Sequence, residues 1–68
     1  MWKVYKWNGR YIMGDLVSKH SSEDAALKKA AKEIKFTFAD KTKKDKETCI
    51  WLDDKNYTPL GVIIKKSK

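Results

Sequence analysis

The stretch WKVYKWNGRYIMGDLV, residues 2–17, reads as a β-hairpin. Asn8-Gly9 is its turn signal, because both central residues of a type I′ turn need positive φ, which asparagine and glycine tolerate. β-favouring residues flank the turn, Trp2 to Trp7 on one arm and Arg10 to Val17 on the other. Pairing Trp7 with Arg10 sets Tyr5 opposite Ile12, Val4 opposite Met13 and Lys3 opposite Gly14. One face then carries Lys3, Tyr5, Trp7, Arg10, Ile12 and Leu16. The other carries Trp2, Val4, Lys6, Tyr11, Met13, Asp15 and Val17. Both faces hold large apolar groups, and a single helix can cover only one of them; the Val4 face is the expected core side.

That helix is expected next. Ser21 or Ser22 caps it, and Glu23 and Asp24 stand in the first turn, where the helix dipole favours anions. Leu27, Ala30, Ala31 and Ile34 recur at helical spacing. The pattern ends near Lys35, giving about 14 residues and roughly 21 Å of length. Two of the four stripe residues are alanine, so the helix can lie close to a sheet whose own side chains are large.

Downstream, Phe36 to Ala39 reads as a short strand and Asp40 to Glu47 as a charged loop. Thr48 to Leu52 is a strand, Asp53 to Asn56 a turn, and Tyr57 to Ile64 the last strand. Pro59 cannot donate to a ladder, so its end of that strand is expected at an edge or a bulge. Residues 65–68 form a basic tail. The fold class is α+β: an antiparallel sheet of four or five strands with one helix packed on one face, ββαββ or ββαβββ, in a single domain over residues 1–64. The expected core is Val4, Met13, Val17, Leu27, Ala30, Ile34, Phe36, Phe38, Ile50, Leu52, Val62 and Ile64, with the other sheet face open to solvent or a partner.

Sixty-eight residues allow one domain. Such a chain buries about 60% of its unfolded surface, and a core of that size supplies about 3–5 kcal/mol of net stability. Little is left to support a strained active site, so a non-enzymatic role is expected. The formal net charge is +7, which calls for an anionic partner. Fifteen lysines stand against the one arginine, Arg10. Arginine reads guanine edges bidentately whereas lysine acts as a mobile point charge, so phosphate attraction without base readout is the better fit.

Cys49 is the only cysteine; it has no partner for an intramolecular disulfide and reads as a small buried hydrophobe. No apolar stretch approaches the roughly 20 residues of a membrane span, and the N-terminus lacks the apolar segment of a signal peptide. A complete cytoplasmic chain is expected.

Three basic or aromatic surfaces are candidates for binding. The first is the uncovered hairpin face, where Tyr5, Trp7, Arg10 and Lys3 would set rings among cations, as single-strand nucleic-acid binders do. Trp51 can join either surface. The second is the outer helix face, with Lys28, Lys29, Lys32 and Lys35; its bland alternative is a solvated face with Asp24 pairing Lys28. The third is the lysine loop over Asp40 to Glu47, read chiefly as a solvated turn. Catalysis has weak support: His20, Cys49 and an aspartate do not have the spacing of a nucleophilic set. Asp53-Asp54 lacks the alternating oxygens of a calcium loop and reads as turn chemistry through an Asx hydrogen bond. No cofactor and no metal site are expected.

Val4-Tyr5 followed by Tyr11-Ile12-Met13-Gly14 resembles the hairpin of the GIY-YIG nucleases over about a fifth of the chain. It departs from that pattern through the extra Met13, the missing initial glycine, and the lack of the helix arginine and the metal-binding glutamate, so nuclease activity is not inferred. As a whole, the chain is similar in kind to phage-encoded host-takeover proteins. The expected function is weak, largely sequence-independent nucleic-acid binding through an open aromatic and basic sheet face. The alternative is a phage-type inhibitor or adaptor that docks on an acidic surface of a host protein, and a homodimer through the same face is a third possibility.

Overall fold

The computed structural model describes residues 1–66. Its elements are β1 (Trp2–Lys6), β2 (Asp15–His20), α1 (Glu23–Glu33), β3 (Phe38–Lys44), β4 (Glu47–Asp53) and β5 (Pro59–Lys66). The five strands form one antiparallel sheet in the order β2-β1-β5-β4-β3. This is the ββαβββ version of the expected α+β fold. β5 lies at the centre and joins two hairpins, β1–β2 and β3–β4. Lys65 and Lys66 belong to it rather than to a tail, and Ser67 and Lys68 lie outside the described residues.

The first hairpin forms in a different register from the one expected. Trp2 pairs with His20, Val4 with Ser18, and Tyr5 with Leu16, with a bulge that leaves Val17 as the extra residue. Residues 7–14 are thus a connection, not strand. Asn8-Gly9 still makes a turn, with Gly9 at φ 95°, but the turn closes locally. Asn8 Oδ1 accepts from the backbone N–H groups of Arg10 and Tyr11, both at 2.9 Å. That Asx closure competes with the two-residue hairpin ladder. Gly14 lets the chain return: a Cβ there would stand 2.4 Å from Asn8 Cγ.

The helix is shorter than expected. Ser22 is its N-cap, with Oγ accepting from Ala25 N–H at 3.2 Å, and Ile34 is its C-cap. Its buried residues are Ala26 and Ala30, followed by Ile34, while Leu27 is half-buried and Ala31 is exposed. The buried stripe is therefore rotated from the expected one towards Ala26. Glu23 Oε1, shielded from solvent, has the Lys41 ammonium as its counter-charge and so ties the helix start to β3. At the other end Ile34 packs onto Gly61, where an added Cβ would meet Ile34 Cδ1 at 2.8 Å and Tyr5 O at 2.5 Å.

The charged loop expected over Asp40 to Glu47 is mostly strand. β3 runs from Phe38 through Lys44, and only Asp45 and Lys46 separate it from β4, with Asp45 at φ 44°. All of β3 is exposed. It is an edge strand, and its lysines discourage further pairing. In the next turn, Asp54 Oδ1 accepts from Asn56 N–H at 2.8 Å and Thr58 N–H at 2.9 Å, the expected Asx chemistry. Pro59 opens β5 beside a register shift against β4, so a proline is accommodated at the start of a central strand.

The core on the helix side comprises Trp2, Val4, Ala26, Ala30, Ile34, Ile50, Leu52 and Ile63, with Val17, Leu27, Phe36 and Leu60 partly buried against it. Trp2, Ala26 and Ile63 were not anticipated. Met13 and Phe38, expected inside, are exposed. Phe38 instead stacks on Tyr57 with ring centroids 4.8 Å apart. Val62 and Ile64 are buried as expected, but they alternate with Ile63 and so face the opposite side of the sheet.

Candidate binding surface on the far face of the sheet

Alternation along each strand, combined with the ladder register, fixes the residues of the face turned away from the helix. One row across the sheet reads Leu16, Tyr5, Val62, Trp51, Asp40, and the next reads Lys19, Lys3, Ile64, Cys49, Thr42. Beyond them, Glu47 lies between Lys66 and Lys44. Adjacent strands are about 4.8 Å apart, so Tyr5 and Trp51 stand about 10 Å apart on either side of Val62. Both rings are half-buried. The Trp51 indole N–H donates to Thr42 Oγ1 at 3.3 Å, which orients the ring towards β3.

This face is less open than the sequence implies. Val62 is fully buried and Ile64 nearly so. Met13, carried by the connection between β1 and β2, lies against the centre and divides the surface. On one side a groove of about 240 Å³ is lined by Lys3, Tyr5, Met13, Ile64 and Lys66. On the other, a groove of about 520 Å³ is lined by Met13, Cys49, Trp51, Ile64 and Lys44.

The electrostatics of the first groove are unusual. Lys3 and Lys19 are direct cross-strand partners, both exposed. Like charges in that arrangement repel, and among the described residues no ion pair relieves either of them. The Cys49 thiol is held above its ordinary pKa, chiefly by burial and then by Glu47, whose Oε1 accepts its hydrogen bond at 3.3 Å. It is thus a poor nucleophile. His20, on β2, hydrogen-bonds Ser18 Oγ through Nε2 at 2.8 Å. Three strand spacings, about 14 Å, separate β2 from β4, so His20 and Cys49 do not meet. Among the described residues there is no cluster of three metal-ligating side chains. No helix there is long and apolar enough to cross a membrane.

The expected site residues are dispersed. Lys3 and Tyr5 lie on the far face. Trp7 does not join them: its backbone N–H donates to Leu60 O at 2.9 Å, and its side chain lines a groove with Ile34, Lys35 and Leu60 at the end of the helix. The chain leaves the sheet at Trp7, and strict alternation lapses there. Arg10 sits in the connection with its guanidinium over the Tyr11 ring, 5.5 Å from the centroid. Lys28 and Lys32 are exposed, as expected of an outer helix face, whereas Lys35 is exposed but lies past the Ile34 cap because the helix ends at Glu33. Lys29 is half-buried and pairs with Glu33 at 3.2 Å; the pair considered between Asp24 and Lys28 does not form.

Lys19, Met13, Lys44 and Lys66 were not singled out for this surface. Lys19 depends on the true register, and Met13 on the loop. Lys44 and Trp51 follow from alternation once β3 and β4 are read as a full hairpin. No family model matches this chain, and no curated protein and no solved structure matches it either.

Proposed function

We propose that this chain is a small non-enzymatic module that holds single-stranded nucleic acid on the far face of its sheet, weakly and with little regard to sequence. The observation that carries the reading is the unrelieved pair of Lys3 and Lys19 next to the Tyr5 ring. A phosphate between the two ammonium groups turns their repulsion into attraction, and bases stack on Tyr5 and Trp51. Lys66 in the first groove and Lys44 in the second, with Glu47 between them, add two further cations.

The test is fluorescence anisotropy of a labelled oligo-dT across a salt series. Contact between four lysines and about four phosphates gives a log–log slope near −3, at about −0.7 per phosphate for single strands. Trp51→Ala weakens binding about tenfold, within the roughly 1–3 kcal/mol of one stacked base, and Trp7→Ala weakens it less. An affinity that ignores salt overturns the reading.

A second reading is an inhibitor or adaptor that docks on an acidic host protein. It draws on the exposed Tyr11 with Arg10 stacked over it, since tyrosine and arginine are enriched in protein interfaces. A stoichiometric acidic partner retained from nuclease-treated lysate favours it, and Tyr11→Ala releases that partner.

A further inference from the structure

We infer that the module bridges two nucleic-acid segments, one on the far face and one on the outer face of the helix; this rests on the proposed function. Lys28 and Lys32 are exposed along the side of α1 turned away from Ala26 and Ala30, and Lys35 is exposed just past the Ile34 cap. No ion pair engages any of the three among the described residues; Glu33 is taken by Lys29 and Glu23 by Lys41, while Asp24, four residues before Lys28, is exposed and does not pair with it. Lys28 and Lys32 stand at i and i+4, about 6 Å apart along the axis, and Lys35 follows beyond the helix end. That spacing suits two neighbouring phosphates of an extended backbone; the only ring near these lysines is Trp7, beside Lys35 past the helix end, so at Lys28 and Lys32 the contact is with phosphates alone.

The two cationic surfaces lie on opposite sides of a two-layer molecule that measures 20 Å along its shortest axis. The Debye length at physiological salt is about 8 Å. Two polyanions held on the two faces are therefore screened from each other while each meets its own lysines. A single-layer arrangement would place both strands within mutual repulsion. The predicted activity is strand pairing or condensation by a monomer, with no chemical step.

The experiment mixes donor-labelled and acceptor-labelled oligo-dT with the protein and reads energy transfer between strands, alongside anisotropy for simple binding. Wild type gives transfer that rises and then falls as protein is added in excess, because saturated strands no longer share a molecule. K28E/K32E abolishes transfer yet changes the anisotropy affinity no more than about threefold. K43E/K55E carries the same charge change away from both surfaces and keeps the transfer. Binding without transfer in wild type overturns the bridge and leaves the proposed function standing. Equal loss of transfer in both double variants overturns it as well, reducing the effect to net charge. A protein dimer in sedimentation without nucleic acid overturns the monomeric bridge. Absence of any strand binding removes the proposed function and the bridge together.

Discussion

On the helix side of the sheet, Val4, Ile50, Leu52 and Ile63 lie beneath an alanine-lined helix. On the far side, Val62 and Ile64 are shielded only by neighbouring side chains and by Met13 from a loop. Both centres are buried, but they are closed by different means. The helix closes its side with the small Ala26 and Ala30 and, at its end, with Ile34 packed onto Gly61. The loop closes the other with a flexible thioether, the side chain best suited to moving aside and refilling a gap. A surface sealed in that second way can admit a ligand without unfolding the domain.

This contrast can be broken by mutation. Leu52→Ala, at a fully buried position under the helix, is expected to cost about 2–5 kcal/mol. That is comparable with the whole stability of a domain this size, so urea titration should find the variant largely unfolded. Ile64→Ala on the far face is expected to cost about 2 kcal/mol, at the low end of the same range, because Met13 can collapse into the space. Equal losses at the two positions would erase the distinction between the faces. Phe38→Ala removes the stack on Tyr57, at the sheet end away from both centres, and should cost about 0.5–1.5 kcal/mol.

The smallest effect concerns Cys49. Its folded-state pKa is raised, chiefly by burial, so the folded chain keeps the thiol proton when the unfolded chain has lost it. The stability this contributes is present below the ordinary thiol pKa and fades as pH rises through the folded value. Alkylation by iodoacetamide should accordingly be slower in the native protein than in urea, and Cys49→Ser should flatten the alkaline limb of the stability profile.

The fold class, a serine cap at Ser21 or Ser22, Asx chemistry at Asp53-Asp54 and an edge or bulge at Pro59 were all legible because each rests on local chemistry; of the element order, only the choice between ββαββ and ββαβββ was left to the structure. Register was not legible. Asn8 closes its own turn through Oδ1, and no local rule says whether that closure or a two-residue ladder prevails. Residues 40–44 have no apolar alternation, yet they form a strand because β4 offers a partner along its whole length. The run Val62-Ile63-Ile64 has no period to read, so its phase is set by what touches it: Gly61 beneath Ile34 sends Ile63 to the helix and its neighbours away. The candidate site inherited these gaps. Lys3 and Tyr5 were placed by alternation within β1, whereas Lys19 and Met13 depended on the register and course of a connection no pattern encodes.

The central position of β5 has a consequence for biosynthesis. β1 and β4 never touch as ladder partners; each pairs with β5. A ribosome-bound chain that stops short of Pro59 therefore holds two hairpins with no hydrogen-bonded seam between them. Translation must deliver the final strand before the sheet can zip, so native structure arrives late and all at once rather than growing from the first hairpin onward.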